Sequence, residues 1–427
     1  MELVNQGKGL LEQILSKGNL NTAYLRVKCN KGSHGVDGMT VYELFDYLKE
    51  HGDALIESIL IGKYRPQPVR RIEIPKPDGG IRLLGIPTVI DRVIQQAVAQ
   101  ILTPIYEKKF SNNSFGFRPN RSAHQAIEQS RSYINSGYSW VVDIDLAKYF
   151  DTVNHDKLIR LISHDIKDGR VISLIRKFLE SGVMINGVVM DTEEGTPQGG
   201  NISPLLSNIM LHELDCELER RGHLFCRYAD DCNIYVKSEK AAGRVMKSVT
   251  RYIEVDLKLK VNSTKSTVDR PWNLKFLGFT FYYNKKKCAY HTFVHPKAIS
   301  KFKAKLKELT SRSKGTSIEK KFEKLRLSIR GWINYFRIGD ISTLTKEIDE
   351  WLRHRIRMCI WKTWKRRYTR FTNLRKLGVK ESKAWQFAKT SKGYWRVSNS
   401  PILETTLTNK VLEQMGLISC YKTYIKC

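Results

Sequence analysis

No apolar run in this chain approaches the roughly 18–20 residues that a membrane-crossing helix needs, so no helical anchor is expected. The first residues, Met1-Glu-Leu-Val-Asn-Gln-Gly-Lys8, have neither the apolar centre of a secretory signal nor the Arg- and Ser-rich character of a transit peptide. Cysteine is scarce and scattered: eight in 427 residues with no C-x-x-C pair, which argues against a zinc module. With no export signal, those thiols are expected to stay reduced in a cytosol. Internal repeats and low-complexity linkers are absent too, which speaks against a solenoid or a disordered tether.

Acidic residues are what the chain most lacks: 43 Asp and Glu stand against 73 Lys and Arg, a formal net charge of +30. A field of that sign points to a polyanionic partner. The excess is uneven. From His295 onward 32 Lys and Arg oppose 10 Asp and Glu, which leaves only +8 to the first 294 residues. Lysines on solvated helix faces account for part of this. They do not account for basic clusters interleaved with aromatics, such as Trp361-Lys-Thr-Trp364-Lys-Arg-Arg-Tyr368, which suit a nucleic-acid surface. Core-forming material is plentiful at 41% hydrophobic, and the length suits two to four domains of about 100–200 residues each.

Apolar positions at helical spacing, Leu10, Leu11, Ile14 and Leu15, then Leu20, Ala23, Tyr24 and Val27, predict short helices up to about residue 60. A Gly-rich loop, Asn30 to Gly38, interrupts them. Val69–Pro75 and Ile81–Ile86 read as a hairpin around Pro77-Asp-Gly-Gly80, and Asp91–Tyr106 as an amphipathic helix. From about 138 to 283 strands and helices alternate. An acidic strand ends near Leu146, helices start near His155 and Arg170, and Asn186-Gly187 marks a hairpin. A Gly-rich turn at 195–200, a helix to about Arg221, a second hairpin and a helix from Lys240 to Leu257 follow. Beyond Pro296 the pattern is helical and basic, and the compositional break near 290–296 is the clearest boundary.

Tyr228-Ala-Asp-Asp231 lies at the tip of the second hairpin, between Leu224–Tyr228 and Cys232–Val236. Adjacent acids repel and cannot both enter a core. A turn that presents them between strand formers suits bound divalent cations, although such a turn taken alone is equally at home in solvent. Trp140-Val-Val-Asp-Ile-Asp-Leu146 offers a second acidic strand. Its two-residue period puts Asp143 and Asp145 on one face, and spacing leaves open which is a ligand. Carboxylates from separate strands are what a two-metal site requires, with the ions roughly 3.5–4 Å apart. Gly199 and Gly200 let backbone approach a flat ligand, as in many ordinary Gly-rich loops. Arg70 and Lys76 share a face of the first hairpin arm, where they suit a triphosphate or, alone, a basic surface strand.

In order, Arg70-Arg-Ile-Glu-Ile-Pro-Lys-Pro-Asp-Gly-Gly80, Leu84-Gly-Ile-Pro-Thr88, Phe115-Gly-Phe-Arg-Pro-Asn-Arg121, Asp143-Ile-Asp-Leu-Ala-Lys-Tyr-Phe-Asp151, Gly195-Thr-Pro-Gln-Gly-Gly200, Tyr228-Ala-Asp-Asp231, Leu257-Lys-Leu-Lys-Val-Asn262 and Phe276-Leu-Gly-Phe279 resemble a reverse transcriptase encoded within a bacterial group II intron. Arg330-Gly-Trp-Ile-Asn-Tyr-Phe336 resembles its maturase or thumb signature. The resemblance implies an α+β right-hand polymerase. A helical N-terminal extension (1–60), whose loop contacts template, precedes fingers and palm (61–294). A helical thumb or maturase X domain (295–370) and a small basic DNA-binding region (371–427) complete it. The expected endonuclease-free form is that of the compact class C lineage.

The family's metal-binding Asp stands five residues before an aromatic, which selects Asp145 ahead of Phe150. The implied catalytic and metal set is Asp145, Asp230 and Asp231 with two Mg²⁺, Mn²⁺ being a substitute. Implied nucleotide contacts are Arg70, Lys76, Arg118, Phe150, Gln198 and Lys265; Lys265 serves pyrophosphate or is merely exposed. Phe150 beneath the sugar implies deoxynucleotide selection. Gly199, Gly200 and the primer grip, Phe276, Leu277, Gly278 and Phe279, are implied primer and template contacts. Implied partners are intron RNA, an RNA template with DNA primer, dNTPs and target DNA. A homodimer is compatible and no membrane is involved. The implied function is RNA-directed DNA synthesis joined to splicing and retromobility by target-primed reverse transcription. A splicing cofactor without polymerase chemistry and a retron or diversity-generating enzyme are the alternatives. The three retained acids argue against the first, and the thumb signature and long N-terminal extension against the second.

Overall fold

The computed structural model describes residues 9–75, 79–185, 188–190, 194–195, 199–313 and 315–426. Contacts divide the chain into two units, Met1–Arg270 and Pro271–Cys427. The fold is mixed α+β with largely antiparallel sheets and a helical C-terminal region, as expected. Among the described residues no helix is long and apolar enough to cross a membrane.

In the first unit, β1 (Val69–Pro75) and β2 (Ile81–Ile86) form the expected hairpin, with Arg71 opposite Gly85. A second strand set comprises β3 (Trp140–Ile144), β4 (Val183–Ile185), β5 (Val188–Met190), β6 (Leu224–Tyr228), β7 (Asp231–Val236) and β8 (Thr267–Asp269). Two sheets result: β2-β1-β4-β5, in which β1 and β4 run parallel, and β6-β7-β3-β8. The turns of the β1–β2 and β4–β5 hairpins, 76–78 and 186–187, lie outside the described residues. Thr88 caps the helix Val89–Glu107 by accepting from the Asp91 amide, and Asn154 caps His155–Asp165 through Lys157. The helix read as reaching Leu257 changes to a π-helical turn at Tyr252–Asp256.

The N-terminal helices are not an appendage. Leu11, Ile14, Val27 and Leu44 are buried in the same core as Ile94, Val98, Val142, Ile144, Leu206 and Ile234. The loop between them is tied down as well: Arg70 donates to the His34 carbonyl through Nε (3.1 Å) and Nη2 (2.8 Å), and Arg92 Nη2 donates to Ser33 O at 2.6 Å.

The second unit begins about twenty residues earlier than composition indicated. Its hairpin β9 (Phe279–Asn284) and β10 (Ala289–Val294) carries lysines only in its turn, Lys285-Lys286-Lys287, and its strands pack on the basic helices that follow. Phe279 meets Phe336 at 4.9 Å between ring centroids, and Asp340 donates its amide to Thr292 O at 3.0 Å. Charge marks what a segment binds and packing marks where it belongs, so the two boundaries differ. Among the described residues three long helices follow, Pro296–Leu309, Ile318–Phe336 and Ser342–Thr363, then six short ones to Ile425. Asp349 fastens the last of these, accepting from Ser419 Oγ (2.5 Å) and from the amides of Cys420 (2.7 Å) and Tyr421 (3.0 Å).

Behind the Tyr228–Asp231 turn sits a fully buried ion pair. Arg227 Nε and Nη2 donate to Asp215 Oδ1 and Oδ2 at 2.7 and 2.6 Å, and Nη1 reaches Asn208 Oδ1 (3.0 Å) and the Ala229 carbonyl (2.9 Å). Burial alone would pull the guanidinium pKa down; the Asp215 carboxylate outweighs it and holds it up. Asp215→Ala is expected to cost the first unit about 3–5 kcal/mol, because Arg227 is left buried and unpaired. Urea unfolding followed within 9–270 reads this, and an unchanged midpoint would show that the pair carries no stability.

Candidate active site

The register of β3 with β7 decides which acids meet. Trp140 pairs with Val236 and Ile144 with Cys232. Continuing the ladder by one residue sets Asp145 opposite Asp231, and positions directly opposite in an antiparallel pair share a face. Alternation does the rest. Val142 and Ile144 enter the core while Asp143 and Asp145 stay half-buried on the other face. Asp143 lies inside the ladder, between Asn233 and Thr267; Asp145 lies just past its end, with its side chain 34% exposed.

The Asp145 backbone is clamped by the segment that follows the π-helical turn. Asn262 donates its amide to Asp145 O at 2.8 Å, and Ser266 Oγ accepts from the Asp145 amide at 3.0 Å. This brings Lys265 in, its Nζ 3.9 Å from Asp145 Oδ2.

Tyr228 pairs with Asp231 across a two-residue turn, Ala229-Asp230. Ala229 takes φ +57°, a left-handed conformation that costs a non-glycine residue roughly 1–2 kcal/mol. It is held there from both sides. Arg227 grips its carbonyl, and Gly116 lies so close that a Cβ there would collide with the Ala229 amide. Asn208 Nδ2 donates to Gly116 O at 2.9 Å, and Phe115 donates its amide to Arg227 O at 2.8 Å. The Phe115-Gly-Phe117 segment is thus a backing plate for the acidic turn. Phe117 itself is exposed, at φ +59°.

Phe150 occupies a single helical turn, Tyr149–Thr152, entered through Lys148 at φ +46°. Tyr149 anchors it, meeting the Phe150 ring edge-on at 5.3 Å and donating its hydroxyl to Ser207 O at 3.0 Å. Burial pushes the Tyr149 hydroxyl pKa up, so it stays a neutral donor. Gly195 packs on the Phe150–Asp151 backbone and donates its amide to Val153 O at 2.8 Å, while His155 Nε2 lies 2.6 Å from Gly195 O. Gly199, at φ +134°, runs against the β1–β2 hairpin, where a Cβ would come within 2.6 Å of Gly85 O. Gly200 lies against Gln95 and Ser203.

The other expected site residues fall in different places. Lys76 and Gln198 lie outside the described residues. Arg70 is on the hairpin but its guanidinium is committed to His34. Its neighbour Arg71, which the sequence reading passed over, has the opposite strand parity and points at Asp151, 3.8 Å away, with a buried Nε that finds no hydrogen-bond partner among the described residues. Arg118 is built into the protein: its side chain is 3% exposed, and it donates to Glu107, Ser111 O and Ser114 O, which braces a loop. Phe276 and Phe279 are likewise anchors of the second unit's core; only the Leu277-Gly278 turn between them is presented, with Tyr335 donating to Leu277 O at 2.8 Å.

Among the described residues no three His, Cys, Asp or Glu side chains are arranged to hold a metal ion. What the fold brings together is the backbone that carries Asp145 and Asp231, with Asp230 beside them. Carboxylate oxygens on such positions are the hard donors that a divalent cation takes, so the residue set fits one.

Two family models match the chain: reverse transcriptase (RNA-dependent DNA polymerase) over residues 74–281, and the group II intron maturase-specific domain over residues 299–378. Protein YkfC of Escherichia coli (strain K12) is 36% identical over 279 residues, 56% of this chain and 73% of that protein. Group II intron-encoded protein LtrA of Lactococcus lactis subsp. cremoris is 43% identical over 194 residues, 45% of this chain and 32% of LtrA. A chain of a partial Cas6-RT-Cas1–Cas2 complex overlaps 58% of this chain at 22% identity and a TM-score of 0.35, too remote to carry weight. The fold, the acidic turn and both family matches agree: the chain belongs to the group II intron reverse transcriptases, a polymerase domain followed by a maturase-specific one.

Proposed function

We propose that this protein copies RNA into DNA and also binds its own intron RNA as a maturase, assisting splicing and spreading the intron by target-primed reverse transcription in a bacterial cytoplasm. The observation that carries the polymerase half is the strand register that sets Asp145 opposite Asp231 at the end of the sheet. The maturase half rests on the matched domain at 299–378 and on the basic excess beyond His295.

Joining a nucleotide requires a primer 3′-hydroxyl to attack the α-phosphate in line as pyrophosphate departs. Held by Asp145, Asp230 and Asp231, two Mg²⁺ ions, or Mn²⁺ in their place, would supply Lewis-acid stabilisation to the attacking and leaving oxygens. The protein's own groups do the remaining work. Arg71, beside Asp151, and Lys265, beside Asp145, suit the triphosphate and the departing pyrophosphate, respectively. Arg70 acts one step back: by gripping His34 it ties the template-side loop to the fingers hairpin. Phe150, fixed by Tyr149 and by the Gly195 turn behind it, is on this reading the ring that excludes a ribose 2′-hydroxyl. Gly199 and Gly200 give the nascent pair a flat floor. Template RNA, DNA primer, dNTPs, intron RNA and target DNA are the partners on this reading.

Asp230→Ala is expected to abolish primer extension on an RNA template while intron RNA binding persists; full extension by that variant would refute the assignment. Phe150→Ala should admit ribonucleotides, read as the ratio of kcat/KM for dNTP over rNTP, and an unchanged ratio removes the gate. Intron RNA affinity should drop roughly 10³-fold between about 50 and 200 mM salt, as six or more phosphate contacts release their counterions. A flat titration would mean that the basic face is not the RNA surface.

A further inference from the structure

In the second unit a cavity of about 470 Å³ opens beside the short helix Tyr394–Ser398, lined by His354, Phe387, Lys392, Trp395 and Arg396 among others. Its volume is in the range of small-ligand sites, roughly 300–1,000 Å³. No acidic side chain among the described residues lines it. Trp395 stacks on the His354 ring with centroids 3.7 Å apart and planes 27° from parallel, and His354 Nε2 lies 3.0 Å from the Trp395 carbonyl. The indole is therefore fixed on one side by a contact that orients it. It is nevertheless 44% exposed, so the packing of this unit does not consume it.

Cations lie over rings elsewhere in the same C-terminal segment. Tyr394 lies beneath both Lys362 and Arg312, at 5.0 and 5.6 Å from the ring centroid. Phe371 stacks on Trp385 at 4.2 Å, with Lys389 5.6 Å from that indole. A core needs none of these cationic groups beside its rings, whereas a strand of nucleotides suits both kinds of group together. A base inside a duplex has both π-faces covered by its neighbours. A lone, preoriented indole at the side of a cavity therefore selects an unpaired base, and ordering it beforehand lowers the entropic cost of binding.

We propose that this cavity takes one unpaired nucleobase of a single-stranded nucleic acid, stacked on Trp395, with the flanking phosphates on Lys392 and Arg396. The proposal rests on the reading of the C-terminal region as nucleic-acid-binding and narrows it from duplex contact to single-strand capture. The source of the strand, displaced DNA or unpaired intron RNA, is left to the two arms of the test.

Single-stranded oligonucleotides carrying one 5-iodouracil, one DNA and one RNA, are photocrosslinked to the full-length protein and mapped by mass spectrometry. The expected result is a crosslink on the Trp395 peptide with one or both single strands and none with the matching duplex; the strand that reacts identifies the source. Trp395→Ala should weaken binding of that strand by roughly tenfold, and Trp395→Phe should restore most of it. Crosslinks confined to other peptides, equal crosslinking by the duplex, or unchanged affinity in Trp395→Ala would overturn the proposal. Primer extension by the wild-type protein is measured in parallel. DNA synthesis without the crosslink sinks the cavity alone, and the crosslink without DNA synthesis sinks the polymerase reading alone.

Discussion

The antiparallel pairing of Trp140–Ile144 with Asp231–Val236 is the constraint on which everything at the acidic face depends. Side chains alternate with a period of two, so a slip of one residue would turn Asp143 and Asp145 into the core and Val142 and Ile144 out to water. Burial forbids that slip: Val142, Ile144 and Ile234 are all at most 1% exposed. The hydrophobic pattern that folds the sheet is thereby the same pattern that aligns the carboxylates. Chemistry and stability are set by one register, and neither can be altered without the other.

The acidic turn is held in a conformation it would not choose alone. Ala229 at positive φ has a standing cost, and two adjacent carboxylates add repulsion. Opposing these are a buried bidentate ion pair directly behind the turn and a neighbouring segment whose glycine allows contact backbone to backbone. A surface pair could not serve this purpose, because solvent would screen it and side-chain freedom would blur it. Enclosed at zero exposure, the Arg227–Asp215 pair has one geometry, and so does the carbonyl that Arg227 grips. Preorganisation of this kind is what a site acting through electrostatics requires.

Much of this was legible in the sequence. The first hairpin, Val69–Pro75 with Ile81–Ile86, was bounded to the residue, since Pro and Gly flank strand formers there. The acidic hairpin was equally plain. What could not be read were partners distant in the chain. Arg118 stands in a motif that resembles a nucleotide-contacting segment, yet Glu107 and two carbonyls enclose it, and no local pattern foretells that enclosure. Arg71 was missed for the opposite reason. It differs from Arg70 only by strand parity, and which parity faces the palm is decided by packing between two sheets. Arg227 looked like one more strand residue because its partner Asp215 lies on a helix twelve positions earlier.

The shared core of the first unit has a practical corollary. Leu11, Ile14, Val27 and Leu44 close over the same interior that supports the acidic strands, with no compositional seam to mark a separable piece. Attempts to trim this enzyme to a minimal catalytic fragment by deleting the leading sixty residues would strip the lining from that interior. Any workable version of the polymerase therefore has to keep the N-terminal helices together with the strands that carry the acids.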